Sequence, residues 1–519
     1  AHWVKDNSEL ESIMTNLSDD ELKAIKRGGF DHKKLYAAFD KASKSSEKPT
    51  VILVKTLKGY GLGEGSEGRN IAHQKKTMSD DERIEIAKRL GIPLSDEECI
   101  DAKFYVPDQD SDEMKYLHKR RQDLGGYQPI RFEDCKSIKA PDIENFSDFT
   151  DGIDRSISTT LALVRMMSKM LRDKEIGPYL VPIIPDEART FGMDGLFSQA
   201  GIYSPSGQKY EPVDAGTISP YKEAKDGQIL QEGICEAGAL ASFMAAGTAY
   251  SHSELPMIPI YIFYSIFGMQ RIGDMVWACG DAMTKGFLIG GTAGRTTLNG
   301  EGVQHQDGHS HVLASTVPNM MTYDPAFAYE LAVIMQDGIK RMYQDKEDIF
   351  YYITVYNENY THPAMPNDAQ DGILKGMYCF KEASDQLLSK FKGKPIHLLG
   401  SGSLMQQVIE AQEALEKEGI PTYIWSVTSY NLLHRDFRDS KDSDKKSYIE
   451  ETIEGFDGHF ISVSDWITLL PDSISHLFPG GLTTLGTDGY GLSETREALR
   501  DHFGISAKSI INKAKEILG

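Results

Sequence analysis

The 519-residue sequence is poor in cysteine, short of positive charge and without a long unbroken apolar run. Its five cysteines, Cys99, Cys135, Cys235, Cys279 and Cys379, are odd in number, far apart and form no C-x-x-C pair. That pattern argues against a disulfide framework or a zinc cluster and makes a reducing cytoplasm the natural setting. Lysine and arginine number 56 against 77 acidic residues, for a formal charge of -21, and no basic block stands out. Nucleic acid is therefore not an expected partner. The longest apolar run, PMIPIYIFYSIFGM, falls short of the ~18 residues a membrane span needs, and the N-terminus shows no signal-peptide pattern, so no membrane partner is expected. The sequence opens at AHWVKDNSEL without Met, which reads as a fragment or a processed piece. Internal repeats and low-complexity tracts are absent.

At ~150 residues per domain the length accommodates about three domains. PTVILVKT, residues 49–56, is a β-branched run and reads as a buried strand. The glycine-rich stretch that follows, residues 57–76, reads as a mobile loop carrying His73. Residues 101–149 are rich in Asp, Lys, Pro and Gln with little periodicity and read as a linker. Beyond them SISTTLALVRMMSKMLRD and AFAYELAVIMQDGIKRMYQD are helical in pattern, and YLVPIIPDEA, MIPIYIFYSIFG, FLIGG and DIFYYITVYN are strand-like. Strands alternating with helices predict an α/β fold with parallel sheets, and the rhythm restarts near residue 373.

Several motifs carry two readings. GEGSEG, residues 63–68, matches G-x-G-x-x-G, but no helix opens at its third glycine, which weighs against a dinucleotide site. NGEGVQHQDGHSH holds His305, His309 and His311 in a loop-like context. It is a metal site, an exposed loop, or a cavity wall on which Glu301 and His305 present an acid and an imidazole to one ligand. Asp186 and Glu187 end a predicted strand, where open α/β sheets bind ligands, or else cap a helix. Glu236, in QEGICEAGA, sits among small and apolar neighbours. An ionised carboxylate there needs a partner, which is a structural Arg or amide, or else a ring nitrogen of a ligand facing Tyr264 and Phe267.

The strings DGQILQEGICEAGA, FYSIFGMQRIGDMVWACGD, FLIGGTAGRTTLNGEGVQHQDGHSH, YYITVYNENYTHPAMP and GTDGYGLSETREALRDHFG resemble the homodimeric E1 component of bacterial pyruvate dehydrogenase complexes, a thiamine-diphosphate enzyme family of the transketolase type. The resemblance covers nearly the whole sequence. It implies a transketolase-like α/β fold with parallel sheets flanked by helices in successive domains. The domains would be the end of a diphosphate-binding domain at 1–100, a linker at 101–149, a pyrimidine-binding domain at 150–372 and a transketolase-like C-terminal domain at 373–519. It further implies decarboxylation of pyruvate and reductive acetylation of the lipoyl domain of the E2 dihydrolipoyl acetyltransferase, in a cytoplasmic homodimer. Transketolase-type chemistry, or a half-site subunit completed by another chain, are the alternatives.

By the same resemblance Glu236 meets the cofactor's aminopyrimidine, Phe267 stacks on it and Tyr264 lines the site. Asp186, Glu187 and Asp214 lie near the entrance, Glu301 and His305 face the substrate, and His73 assists acyl transfer. The Gly-Asp-Gly stretch with a following Asn that holds diphosphate through Mg2+ in this class does not occur in these 519 residues. The Mg2+ ligands are expected outside them, with no metal site in the chain itself.

Overall fold

The computed structural model describes residues 5–24, 31–45, 48–63, 65–127, 135–185, 188–298, 302–441 and 445–519. The chain divides into two compact units, residues 1–128 and 129–519.

The first unit is helical among its described residues. Its longer helices, Ser8–Thr15, His32–Ser43, Asp80–Leu90 and Asp112–Asp123, are each capped by the side chain just before them, from Asn7, Asp31, Ser79 and Ser111. Each cap satisfies a main-chain N–H that the helix leaves unbonded. The strand expected at 49–56 is not formed. Val51 and Leu53 are 82% and 92% exposed, and no described strand runs alongside to complete a ladder, without which a β-branched run has no strand to join. The expected linker contains the helix Asp112–Asp123. That helix buries no residue, so it has no apolar stripe to betray it, and Ser111 was its one local signal. The glycine-rich stretch ends in a 3₁₀ turn, Asn70–His73.

The second unit is built on two large sheets, beside two small two-stranded ones. In chain order, the strands of the first are β1 (Leu180–Ile184), β2 (Leu230–Gln231), β3 (Ile258–Tyr264), β4 (Phe287–Gly291), β5 (Met320–Tyr323) and β6 (Phe350–Thr354). They lie in the order β2-β1-β3-β4-β6-β5, all parallel. The sequence reading missed β5, which is too short to show alternation. Its helices include α1 (Thr159–Met170), α2 (Glu236–Gly247), α3 (Met269–Asp281), α4 (Ser310–Ala314) and α5 (Ala328–Ile339). β3, IPIYIFY, is buried on both faces up to its last residue, as a parallel strand covered by helices requires.

The second sheet contains β7 (Met377–Lys381), β8 (Ile396–Gly400), β9 (Thr422–Val427), β10 (His459–Val463) and β11 (Leu482–Leu485) in the order β7-β9-β8-β10-β11. Only β7 runs antiparallel to its neighbour. Its helices include α6 (Met405–Lys417), α7 (Tyr430–Ser440) and α8 (Ala507–Leu518).

Buried acids tie the two sheets together. Glu330, in the first turn of α5, accepts from the main-chain N–H groups of Ala326 (2.6 Å) and Phe327 (3.2 Å). It also accepts from the hydroxyls of Tyr378 on β7 and Ser426 on β9, both at 2.6 Å. Burial pushes its carboxyl above the usual range, while these donors pull the other way. Asp324, just past β5, accepts from Trp466 Nε1 at 2.8 Å and from the Tyr356 hydroxyl at 2.6 Å. No helix among the described residues is long and apolar enough to cross a membrane.

Candidate active site

The expected site residues that the second unit brings together lie at the C-terminal ends of its parallel strands, where open α/β sheets bind ligands. β2 runs into α2 through Cys235, whose sulfur accepts the Gly238 N–H at 3.3 Å. Glu236 is therefore the first residue of a helix, where the macrodipole favours a carboxylate. Its side chain is 12% exposed, and one oxygen accepts from Arg271 Nη1 at 2.6 Å. The partner that the apolar neighbourhood demanded is thus an arginine.

β3 ends at Tyr264 and breaks into a 3₁₀ turn, Ser265–Phe267, before α3. Gly268 joins the two, and a Cβ there would collide with the Phe263 ring. Arg271 follows Phe267 by four residues, and its guanidinium carbon lies 4.1 Å from the Phe267 ring centroid. A single planar cation thus bonds to Glu236 and covers Phe267. Tyr264 lies 5.6 Å from Phe267 and 5.4 Å from Phe191, centroid to centroid. The His305 ring completes the cluster at 5.2 Å from Tyr264 and 5.4 Å from Phe267.

The segment leading from β4 toward His305 is fixed from the other sheet. Asp465, at the end of β10, is fully buried and takes four hydrogen bonds from two consecutive threonines. Thr296 donates its N–H and hydroxyl, both at 2.9 Å, and Thr297 its N–H at 3.0 Å and hydroxyl at 2.7 Å. Gly294 makes room for this clamp. Its φ of +89° lies in the left-handed region, and a Cβ would strike the Asp465 carboxylate.

The three histidines of the loop do not converge. His309 Nε2 is 2.5 Å from Gln270 Nε2. His311 is buried, with Nε2 2.9 Å from Thr354 Oγ1 and its ring 4.7 Å from that of Trp466, and burial lowers its pKa. Among the described residues no three His, Cys, Asp or Glu side chains form a group able to hold a metal ion. Asp214 accepts from Arg189 and from the Tyr221 N–H at 3.1 Å, which pins the loop it belongs to. Asp186, Glu187 and Glu301 lie outside the described residues. His73 belongs to the first unit, where it is exposed with Nδ1 2.7 Å from Lys58 Nζ.

Phe191, Arg271 and Asp465 escaped the sequence reading. Arg271 had a signal in its spacing of four from Phe267 along a helix. Asp465 had none, because its partners are some 170 positions away.

Comparison with known proteins places this geometry in a family. The description "Pyruvate dehydrogenase E1 component middle domain" matches residues 138–363, and "Transketolase-like TK C-terminal domain" matches 376–506. The chain is 48% identical to the pyruvate dehydrogenase E1 component of Pseudomonas aeruginosa over 100% of its own length and 59% of that protein's. It is 46% identical to that of Escherichia coli K12 over 98% of its length and 58% of the relative's. The chain therefore spans less than two thirds of these curated relatives. Among solved structures, transketolase from Campylobacter jejuni superposes with a TM-score of 0.61 at 17% identity, covering 93% of this chain and 65% of that one. Transketolase from Leishmania mexicana gives 0.62 at 15% identity, covering 97% and 68%. These two likenesses concern the fold alone, which is transketolase-like. Through its two matched domains and the identity along its length, the chain belongs to the pyruvate dehydrogenase E1 component family.

Proposed function

We propose that the chain is the greater part of a thiamine-diphosphate-dependent E1 that decarboxylates pyruvate and reductively acetylates the lipoyl group of an E2 dihydrolipoyl acetyltransferase. In this reading residues 1–100 end a diphosphate-binding domain, 101–149 link, 150–372 form the pyrimidine-binding domain and 373–519 the C-terminal domain. The protein works as a cytoplasmic homodimer.

The observation that carries the reading is the pairing of Glu236 with the face of Phe267. Together they offer one carboxylate and one ring face to a planar group bearing N–H donors, and the Arg271 guanidinium meets both requirements, at 2.6 Å and 4.1 Å. An aminopyrimidine has the same two needs, so these residues fit that end of the cofactor. They do not fit Mg2+, and the diphosphate and its cation are assigned to residues outside the 519. When bound, thiamine diphosphate supplies the carbon nucleophile and the electron sink for decarboxylation.

The chain's own residues orient and manage protons. Glu236 holds a proton at the ring nitrogen it faces, Phe267 fixes the plane of the ring, and Tyr264 and Phe191 keep water from one side. The His305 imidazole, held against Tyr264 and Phe267, exchanges a proton with the substrate's oxygen. Glu301 is proposed as the acid that serves the substrate together with it, and Asp186 and Glu187 as acids that serve the cofactor. His73 serves transfer of the acetyl unit to the lipoyl group.

The test is substrate choice in the protein carrying these residues. Pyruvate should drive cofactor-dependent release of carbon dioxide with an artificial electron acceptor, and sugar phosphates should not serve as ketol donors. The opposite preference would return the chain to transketolase chemistry. His73→Ala should depress lipoyl acetylation more than the acceptor assay, and equal losses would remove its assigned role.

A further inference from the structure

Away from the aromatic cluster, α7 and the end of α4 enclose a cavity of about 570 Å3. Arg435, Arg438 and His434 enter it from α7, within one turn of each other, and Ser315 and Thr316 contribute to its wall. Among the described residues the charges here are poorly compensated. Arg435 donates to the carbonyls of Met320 and Val317, both at 3.2 Å, contacts that fix the guanidinium without neutralising it. Among the described residues no carboxylate lies within ion-pair distance of Arg435 or Arg438. Asp439, the one acid among the described lining residues, is exposed. Its charge acts on Arg435, yet burial outweighs it and lowers the Arg435 pKa. In a protein of net charge -21 such an arrangement runs against the general balance.

We propose that this cavity binds a small phosphate monoester, its phosphoryl group held between Arg435 and Arg438. Two planar forks on one helix face suit an oxyanion with several acceptor oxygens, and a charge-assisted hydrogen bond offsets the desolvation Arg435 has already undergone. His434 lines the same wall, its Nδ1 donating to the Ser473 carbonyl at 3.1 Å. The cavity exceeds the needs of a bare phosphate, which leaves room for the organic part.

Occupancy would be felt at the candidate active site. Asn431, on α7, donates to the His311 carbonyl at 2.8 Å and to the Thr322 hydroxyl at 3.0 Å. His311 lies on α4, whose first residue, Ser310, donates its N–H at 3.1 Å to Asp307, two residues after His305. The same cavity wall is therefore tied to the segment that presents the imidazole.

The experiment is calorimetric titration of the intact protein with inorganic phosphate, against chloride at matched ionic strength. Saturable binding is expected. Arg438 is exposed, so Arg438→Glu should leave thermal unfolding unchanged while weakening phosphate at least roughly tenfold, the loss of one charge-assisted bond. Arg438→Gln, which keeps the polar side chain without the charge, should show the same loss in smaller degree. No saturable binding above the chloride background would overturn the proposal, as would phosphate binding that neither substitution weakens, since the ion would then sit elsewhere.

Discussion

The carboxylates at the seam between the sheets and the one at the rim of the first sheet are held in opposite ways. Glu330 and Asp465 are fully buried, and each takes four hydrogen bonds from buried groups. Among the described residues Glu236 has a single ion-pair partner, and the side chain of that partner is 50% exposed. An acid whose every lone pair is answered by the fold is part of the fold. One whose single contact comes from a side chain able to leave for water is available to a ligand.

Removing a seam acid should cost the most. Asp465→Ala leaves three buried donors unanswered, only the Thr297 hydroxyl keeping a partner in Ser403, and should lower unfolding free energy by about 3 to 5 kcal/mol, read from the urea midpoint. A loss under about 1 kcal/mol would erase the contrast between seam and rim.

The seam's second sheet also holds a buried imidazole that should register in the pH dependence. His397 is sandwiched between Tyr423 (4.7 Å) and Phe460 (4.3 Å), its Nδ1 accepts from Trp425 Nε1 at 3.2 Å, and burial lowers its pKa from 6.5 to about 4. The unfolded chain then binds the proton more readily. Stability from this group is fully present above pH 6.5 and is lost as the pH falls toward 4, by about 3 kcal/mol in all. Urea midpoints at pH 7 and pH 4.5 should therefore differ less in His397→Phe than in the parent, and equal differences would remove His397 from the explanation.

A smaller effect is expected on the ligand side of the rim. Phe267→Leu keeps an apolar side chain but loses the ring face, and should raise the half-saturating concentration of thiamine diphosphate by about 2- to 10-fold, or roughly 0.5 to 1.5 kcal/mol. Its stability should change less than that of Asp465→Ala. A stability loss with no change in cofactor requirement would make Phe267 a seam residue in disguise.

The difference between rim and seam also governs what the sequence discloses. Residues of the rim are grouped by local chain geometry: Tyr264, Phe267 and Arg271 lie on one strand end, one turn and one helix start, so a short string contains them. The buried strands showed themselves as apolar runs for the same reason. The seam is made by contacts between distant positions, 96 apart for Glu330 to Ser426 and 169 apart for Thr296 to Asp465, and no short window of sequence contains both partners. The opposite failure occurred at 49–56, where β-branched residues promised a strand and no described neighbour pairs with it. A propensity is local, whereas a sheet is not.

The contrast is tested most directly by Glu236→Gln with stability and activity measured on the same preparation. Exchanging one carboxyl oxygen for an amide at a site with one half-exposed cationic partner should change unfolding free energy by no more than about 1 kcal/mol. Losing the positioned proton-bearing group should slow cofactor-dependent decarboxylation of pyruvate by roughly 10² to 10⁴. Full activity with a loss of several kcal/mol in stability would contradict this reading, and would make Glu236 a structural partner of Arg271 and nothing more.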